Sequence, residues 1–392
     1  MKGNFIQFGA GNIGRSFIAP IFANAGYNVT FIDVDKELVR LLNERGSYPV
    51  YLADDDSPET ITVTNVSAID GNDVEAVVEA IASADIAATA VGANALKYLY
   101  ENIAAGIVKR NGRPLDIILA ENLRSAANIL KQGVSEYLPN DIDVAQVLGA
   151  IETSIGKMSP LLTAEQKAKD PLLVCAEKYN TLILDKLAFL NPIPDVKGLY
   201  PTPYMTAYVD RKLYIHNLGH ATVAYLAYKK DKNIEYIWQA LDDKDVYDTA
   251  RKVMTESGAA LVKTYSDAFS AEQIMEHIDD LLKRMANKAL MDTVYRVGRD
   301  LKRKLSHEDR IIGAMTLAIK ADVDITNMAM VARAALDFTA TDESGNMFAP
   351  DVEVMNMIKE KGHKNTLIEI SNLDINKIID KKILEEIMKN DN

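Results

Sequence analysis

The stretch Phe5-Ile6-Gln7-Phe8-Gly9-Ala10-Gly11-Asn12-Ile13-Gly14-Arg15, continued by Val29-Thr30-Phe31-Ile32-Asp33, decides the fold of the first half of the chain. Phe5 to Phe8 reads as a short strand. Phe17, Ile18, Ile21, Phe22 and Ala25 follow at helical spacing, and Val29 to Ile32 is a second strand ending at Asp33. Strand, Gly-x-Gly-x-x-Gly, helix, strand and acid in this order form a dinucleotide-binding fingerprint in the context it requires. Each glycine has a task. Gly9 permits the tight turn, Gly11 lets the backbone approach a pyrophosphate, and Gly14 lets helix and strand pack closely. The free N–H groups of the helix N-terminus favour an anion. Asp33 stands where a carboxylate reaches ribose hydroxyls and repels a 2′-phosphate, so NAD is expected over NADP. Gly9, Ala10, Gly11, Asn12, Ile13, Gly14 and Asp33 are therefore candidate cofactor residues.

Working outward, further strand and helix signals alternate. Leu38, Leu41 and Leu42 continue a helix, and residues 47–70 read as short strands and turns. Asp85 to Gly92 is a buried strand ending in glycine, and Leu115 to Ala120 is another, stopping at Glu121-Asn122. Open sheets bind ligands at the carboxyl ends of their strands, so Gly92, Glu121 and Asn122 join the candidates. Asn122 could equally cap a helix over Leu123 to Leu130. Val144 to Leu148 reads as a strand, as do Leu172 to Ala176 and Leu182 to Leu184. The pattern predicts an α/β fold with an N-terminal Rossmann-type doubly wound sheet. Prolines at 192, 194, 201 and 203 mark a joint. The expected domains are 1–192 for nucleotide binding and 193–392 for a mostly α-helical substrate and catalytic domain. Its last helices are expected over Val352 to Glu360 and Ile375 to Lys389.

Composition excludes other classes. The 392 residues carry 44 Lys plus Arg against 56 Asp plus Glu, a net charge of −12, which argues against nucleic acid or an anionic membrane as partner. The single cysteine, Cys175, allows no intramolecular disulfide and no thiolate zinc site, so a cytoplasmic setting is expected. The opening Met1-Lys2-Gly3-Asn4 leads into a strand and does not read as a signal sequence.

The second half is organised around Asp210-Arg-Lys-Leu-Tyr-Ile-His-Asn-Leu-Gly-His220, which sets Lys212, His216, Asn217 and His220 in an otherwise apolar segment. Burying such groups is costly unless they are paired or used. A snorkelling Lys212 and a satisfied core His220 are the plain alternatives. On an ordinary α-helix Asn217 and His220 share a face, while Lys212 lies about 140° further round. Its reach to the same site then needs a long side chain or a late helix start.

These motifs resemble the mannitol dehydrogenase family of polyol-specific long-chain dehydrogenases over nearly the whole chain. Lys212-x4-Asn217-x2-His220 matches that family's signature, and Arg296-Val-Gly-Arg-Asp-Leu-Lys-Arg-Lys-Leu305 with Asp309-Arg310 resembles the basic segment of its sugar-phosphate members. The resemblance implies metal-independent, NAD-dependent interconversion of mannitol 1-phosphate and fructose 6-phosphate. It implies Lys212 as catalytic acid/base, Asn217 and Asn122 as hydrogen-bond donors to the reacting oxygen, and His220 as a substrate residue. A phosphate needs cations, so Arg299, Lys302, Arg303 and Lys304 are candidates, against the alternative of a solvated basic face. Two positions depart from the family. Ile155-Gly156-Lys157-Met158 stands for its Val-Asp-Arg-Ile, and Thr339 for an arginine after an aromatic residue. Another ketose phosphate, a hexuronate, or a non-catalytic NAD-binding protein are the readings these departures leave open.

Overall fold

A computed structural model describes residues 2–389 except Asn122, Arg124, Leu161 and Thr163. The chain divides into two compact units, Met1–Met205 and Thr206–Asn392.

The first unit holds eleven strands among the described residues: β1 (Gly3–Phe8), β2 (Tyr27–Asp33), β3 (Ser47–Ala53), β4 (Glu59–Thr64), β5 (Val66–Asp70), β6 (Ile86–Thr89), β7 (Leu115–Leu119), β8 (Leu148–Ser154), β9 (Val174–Glu177), β10 (Leu182–Asp185) and β11 (Leu199–Thr202). Eight form one sheet in the order β11-β10-β8-β7-β6-β1-β2-β5. The run from β8 to β5 is parallel, and β10 joins β8 antiparallel. The order reverses between β1 and β6, which makes their carboxyl ends the switch point where open sheets bind ligands. Side chains alternate across β1. Phe5 packs with Phe17, Phe22 and Phe31 on one face, whereas Ile6 and Phe8 pack with Ile81, Ile103 and Leu130 on the other. Both faces are thus covered, as a parallel sheet requires.

β9 lies outside this sheet and pairs parallel with β3 in a three-stranded sheet, β4-β3-β9. The strand expected over Val144 to Leu148 starts later. Asp143 accepts the Ala145 N–H and caps a single helical turn, Val144–Val147, and β8 begins only at Leu148. A short acid at a cap position wins over a run of five in which only Gln146 is polar. The helix expected from Leu123 starts at Ala126, after Ser125 in a left-handed conformation, φ 57°. The cap position is thus Ser125, and Asn122 lies outside the described residues.

The second unit is helical among the described residues apart from isolated bridges. Leu218–Lys230 is buried on nearly all sides, as a helix with apolar residues all round must be. Close packing around it uses small residues. A Cβ on Gly219 would come within 2.5 Å of the Met254 sulfur, and one on Gly298 within 2.2 Å of the Phe338 ring. The expected helix at 352–360 lies within Ala349–Ile370, which breaks at Gly362, φ 77°. The final helix is Ile378–Met388. Among the described residues no helix is long and apolar enough to cross a membrane.

Candidate active site

In the first unit, the turn after β1 is shaped by what glycine leaves out. Gly9 has φ +87°, and a Cβ there would meet the Ala90 carbonyl oxygen at 2.5 Å. A Cβ on Gly14 would meet the Gly9 carbonyl oxygen at 2.3 Å. Around Gly11 there is nothing within 4 Å, so that edge of the turn is open. The helix that follows opens at Asn12 and passes at once into a π-turn, Gly14–Ile18, in which the Ala19 N–H bonds to the Gly14 carbonyl. Pro20 has no N–H and clashes with a carbonyl four residues back, and the wider turn accommodates it.

Asp33 ends β2 beside this turn. Its carboxylate accepts the Ala10 N–H at 2.7 Å and the Asp35 N–H at 3.0 Å. Arg15 is buried, and donates from Nε to the Ala10 carbonyl and from Nη1 to the Leu172 carbonyl, both at 2.6 Å. Burial lowers its proton affinity, against the pull of Tyr48 and Asp33. The Asn12 side chain donates to Ser159 Oγ at 2.7 Å, and Ile13 packs against the core. Across the switch point, buried Glu121 accepts the Thr89 hydroxyl at 2.6 Å and the Val91 N–H at 3.1 Å. Burial pushes its carboxyl up in spite of those bonds. Gly92, φ +88°, follows with open space around it.

In the second unit, the chain runs helically from Met205–Arg211 into Leu218–Lys230 through a π-turn, Lys212–Asn217, closed by the Leu218 N–H on the Leu213 carbonyl. This π-turn replaces the 140° offset expected on an α-helix. In an i→i+5 turn, residues five apart stand nearly one above the other. Lys212 and Asn217 therefore share a face, His216 flanks them, and His220 continues the stripe one turn on.

Lys212 is half-buried and enclosed by protein. Burial, and then the Arg310 guanidinium, bring its amine down to about 8. Arg310 is itself buried and held by Asp309 at 2.6 Å. The Asn217 amide is half-buried and bonds to no side chain among the described residues. His220 Nε2 stands 3.0 Å from Asp292 Oδ2, at the distance but not the angle of a hydrogen bond. Asp292 also takes Arg296 Nε at 2.6 Å. Burial alone would raise the Asp292 carboxyl, but His220 and Arg296 hold it below its ordinary value.

The four basic candidates have separate surroundings. Arg299 lies 5.5 Å from the Tyr295 ring centroid and 5.4 Å from that of Phe348, with no carboxylate partner among the described residues. Lys302 is exposed. Arg303 is paired with Asp300 at 2.5 Å and with Asp309 at 3.5 Å. Lys304 departs from the expectation of a phosphate ligand. It is turned inward, its amine donates to the carbonyls of Val297 and Arg299, and burial lowers it to about 7. Two free carbonyls at the end of Val294–Gly298 attract that amine. At the two departures, Lys157 is buried with its amine 5.2 Å from the Phe17 ring centroid, and Thr339 exchanges a hydrogen bond with the Tyr228 hydroxyl at 2.7 Å. A Cβ at Gly156 would meet only Tyr179, at 3.7 Å, so packing does not demand glycine there.

Sequence reasoning named Arg310 only as part of the basic segment, with no role beside Lys212, and missed Asp292 as a candidate. The only local signal for Asp292 was its i,i+4 spacing to Arg296. Among the described residues no three His, Cys, Asp or Glu side chains gather as metal ligands.

Residues 3–198 match a family model described as the mannitol dehydrogenase Rossmann domain, and residues 204–390 match the mannitol dehydrogenase C-terminal domain. The chain is 35% identical over 367 residues to a mannitol-1-phosphate 5-dehydrogenase of Brevibacillus brevis, covering 92% of each. Its fold resembles a D-sorbitol dehydrogenase crystallised without substrate, with TM-score 0.77 and 15% identity over 99% of this chain and 93% of the other. It also resembles Pseudomonas fluorescens mannitol 2-dehydrogenase in ternary complex with NAD and D-mannitol. There the TM-score is 0.68 and the identity 12%, over 99% of this chain and 95% of the other.

Proposed function

The chain belongs to the mannitol dehydrogenase family, and from that premise we propose that it is an NAD-dependent polyol-phosphate dehydrogenase. On this reading it interconverts mannitol 1-phosphate and fructose 6-phosphate, with Lys212 as general acid/base. What supports the reading is the π-turn over Lys212–Asn217, whose five-residue closure would bring Lys212 and Asn217 onto the face that His220 continues.

The first unit fits a dinucleotide. The turn is open at Gly11 and closed by contact at Gly9 and Gly14, which is the shape a pyrophosphate needs. Gly9 to Gly14 would hold the phosphates and Asp33 a ribose, with Gly92 and Glu121 at the neighbouring strand ends. A nicotinamide held there would supply the hydride acceptor for oxidation and the donor for reduction.

The remaining chemistry belongs to the chain's own residues. In polyol oxidation Lys212 Nζ takes the hydroxyl proton, and in ketone reduction it gives one back. A lysine at about 8 has both forms available near neutral pH, as an acid/base catalyst requires. The Asn217 amide donates to the reacting oxygen and steadies its developing charge. Asn122 is proposed for the same task from the family resemblance. His220, backed by Asp292, holds a substrate hydroxyl. Arg299, with Lys302 three positions on, is the cation proposed for the phosphate.

The test is oxidation of NADH with fructose 6-phosphate. Turnover by the wild type that is lost in Lys212→Ala supports the reading, and no wild-type turnover, or full turnover by the variant, overturns it. A second reading keeps the chemistry and changes the substrate to another ketose phosphate or a hexuronate. Gly156 and Thr339, which stand where the family carries an acid and an arginine, favour it. A panel of ketoses, ketose phosphates and uronates separates the two, and best activity with fructose 6-phosphate disposes of the second.

A further inference from the structure

His216 sits beside Asn217 in the π-turn, and no step of the chemistry above uses it. It is 7% exposed and makes no hydrogen bond to any described residue. The neighbouring ring is His220, with centroids 6.3 Å apart.

The charged and titratable groups that most lower its proton affinity are basic. Lys212 and His220 come from its own helical run, and Arg284 and His277 from Ala271–Met285. Burial first, and then these neighbours, keep the imidazole well below its ordinary range and therefore neutral. A neutral imidazole offers one N–H donor and one lone-pair acceptor. It brings no charge to a phosphate, but it matches a hydroxyl, which also donates and accepts. A buried polar ring without a protein partner is costly unless something bonds to it.

We propose that His216 is a specificity-determining residue that hydrogen-bonds a hydroxyl on a carbon next to the one reacting at Lys212. This rests on the reading of Lys212 given above. In fructose 6-phosphate the reacting carbon is C2, so the hydroxyl is the one on C1 or C3.

The test compares wild type with His216→Leu, which removes donor and acceptor at similar size. Steady-state reduction by NADH is measured with fructose 6-phosphate and with its 1-deoxy and 3-deoxy analogues. NADH affinity, read by fluorescence, reports folding. The expected result is a KM for fructose 6-phosphate raised about tenfold, with kcat, its pH midpoint and NADH affinity unchanged. With one of the two deoxy analogues the difference between wild type and variant disappears. An unchanged KM, a penalty that persists with both analogues, or a shifted pH midpoint overturns the proposal. The last would mean an effect exerted through Lys212. If His216→Leu does not bind NADH, His216→Gln decides. A KM for fructose 6-phosphate near wild type supports the proposal, since the amide keeps donor and acceptor, and a tenfold rise overturns it. Wild type inactive on every ketose and ketose phosphate overturns the Lys212 reading as well. An active wild type with an unchanged His216→Leu overturns this inference alone.

Discussion

Arg310 is the charged residue that, after burial, lowers the proton affinity of Lys212. The two are 98 positions apart in the chain, and Asp309 holds the guanidinium at 2.6 Å. The expected pH dependence follows. Polyol oxidation needs neutral Lys212, so kcat/KM for oxidation rises through a midpoint near 8, and that for ketone reduction falls through the same midpoint. Arg310→Gln removes a like charge and moves both midpoints upward by about one unit. pH–rate profiles of wild type and variant measure this, and coincident profiles would rule the relationship out.

Burying an amine that is protonated at neutral pH costs stability. The folded-state value of about 8 lies below the ordinary 10.5, so below pH 8 both folded and unfolded chains carry the proton and the full cost is present. As pH rises from 8 to 10.5 the folded chain sheds its proton first, and the cost disappears. Lys212→Met should therefore stabilise the protein by on the order of 3 kcal/mol at pH 7 while abolishing activity. The gain should shrink toward zero by about pH 10.5. Urea unfolding at the two pH values checks both magnitude and sign.

The glycines of the first turn separate folding from cofactor binding. Gly11→Ala has nothing within 4 Å to strike, so its melting curve should match wild type while its NADH affinity falls about tenfold or more. Gly14→Ala drives a Cβ to 2.3 Å from the Gly9 carbonyl and should cost stability as well as affinity, by about 1–3 kcal/mol. Calorimetry and fluorescence titration on the pair give the contrast. A destabilised Gly11→Ala would contradict it.

Arg299 and Lys304 should respond differently. Arg299→Met removes a stacked cation with no carboxylate partner among the described residues, and should raise KM for fructose 6-phosphate about tenfold with little change for fructose. Lys304→Met removes an amine that serves the Val297 and Arg299 carbonyls and not a phosphate, and should leave the ratio of KM values for the two sugars unchanged. Kinetics on the two sugars distinguish them. Equal KM effects on both sugars in Arg299→Met would count against a phosphate role.

Asp292 joins His220 to Arg296 from a position 6% exposed. Asp292→Ala takes the carboxylate from beside His220 and from the half-exposed Arg296, and should cost on the order of 1 kcal/mol. Because its folded-state value is depressed, the contribution is present above the unfolded carboxyl value and is lost as pH falls through the folded one. Urea melts at pH 7 and pH 3 should show the gap between wild type and variant closing in acid.

Much of this was legible in the chain itself. The Gly9 to Asp33 fingerprint sits in one contiguous βαβ unit, where turn chemistry and hydrophobic period act between near neighbours. The change to helix after the prolines is a local signal of the same kind. The alignment of Lys212 with Asn217 was not legible, because a π-turn differs from an α-turn by one residue and leaves no periodic mark. The inward turn of Lys304, the pressure of Arg310 on Lys212 and the grip of Asp292 on His220 were likewise absent from the one-dimensional pattern. Sequence alone determined which chemical groups exist and which short elements carry them. The tertiary structure decided which of those groups are buried, what each one touches and how tightly it holds its proton, since desolvation and charge act through space between residues far apart in the chain.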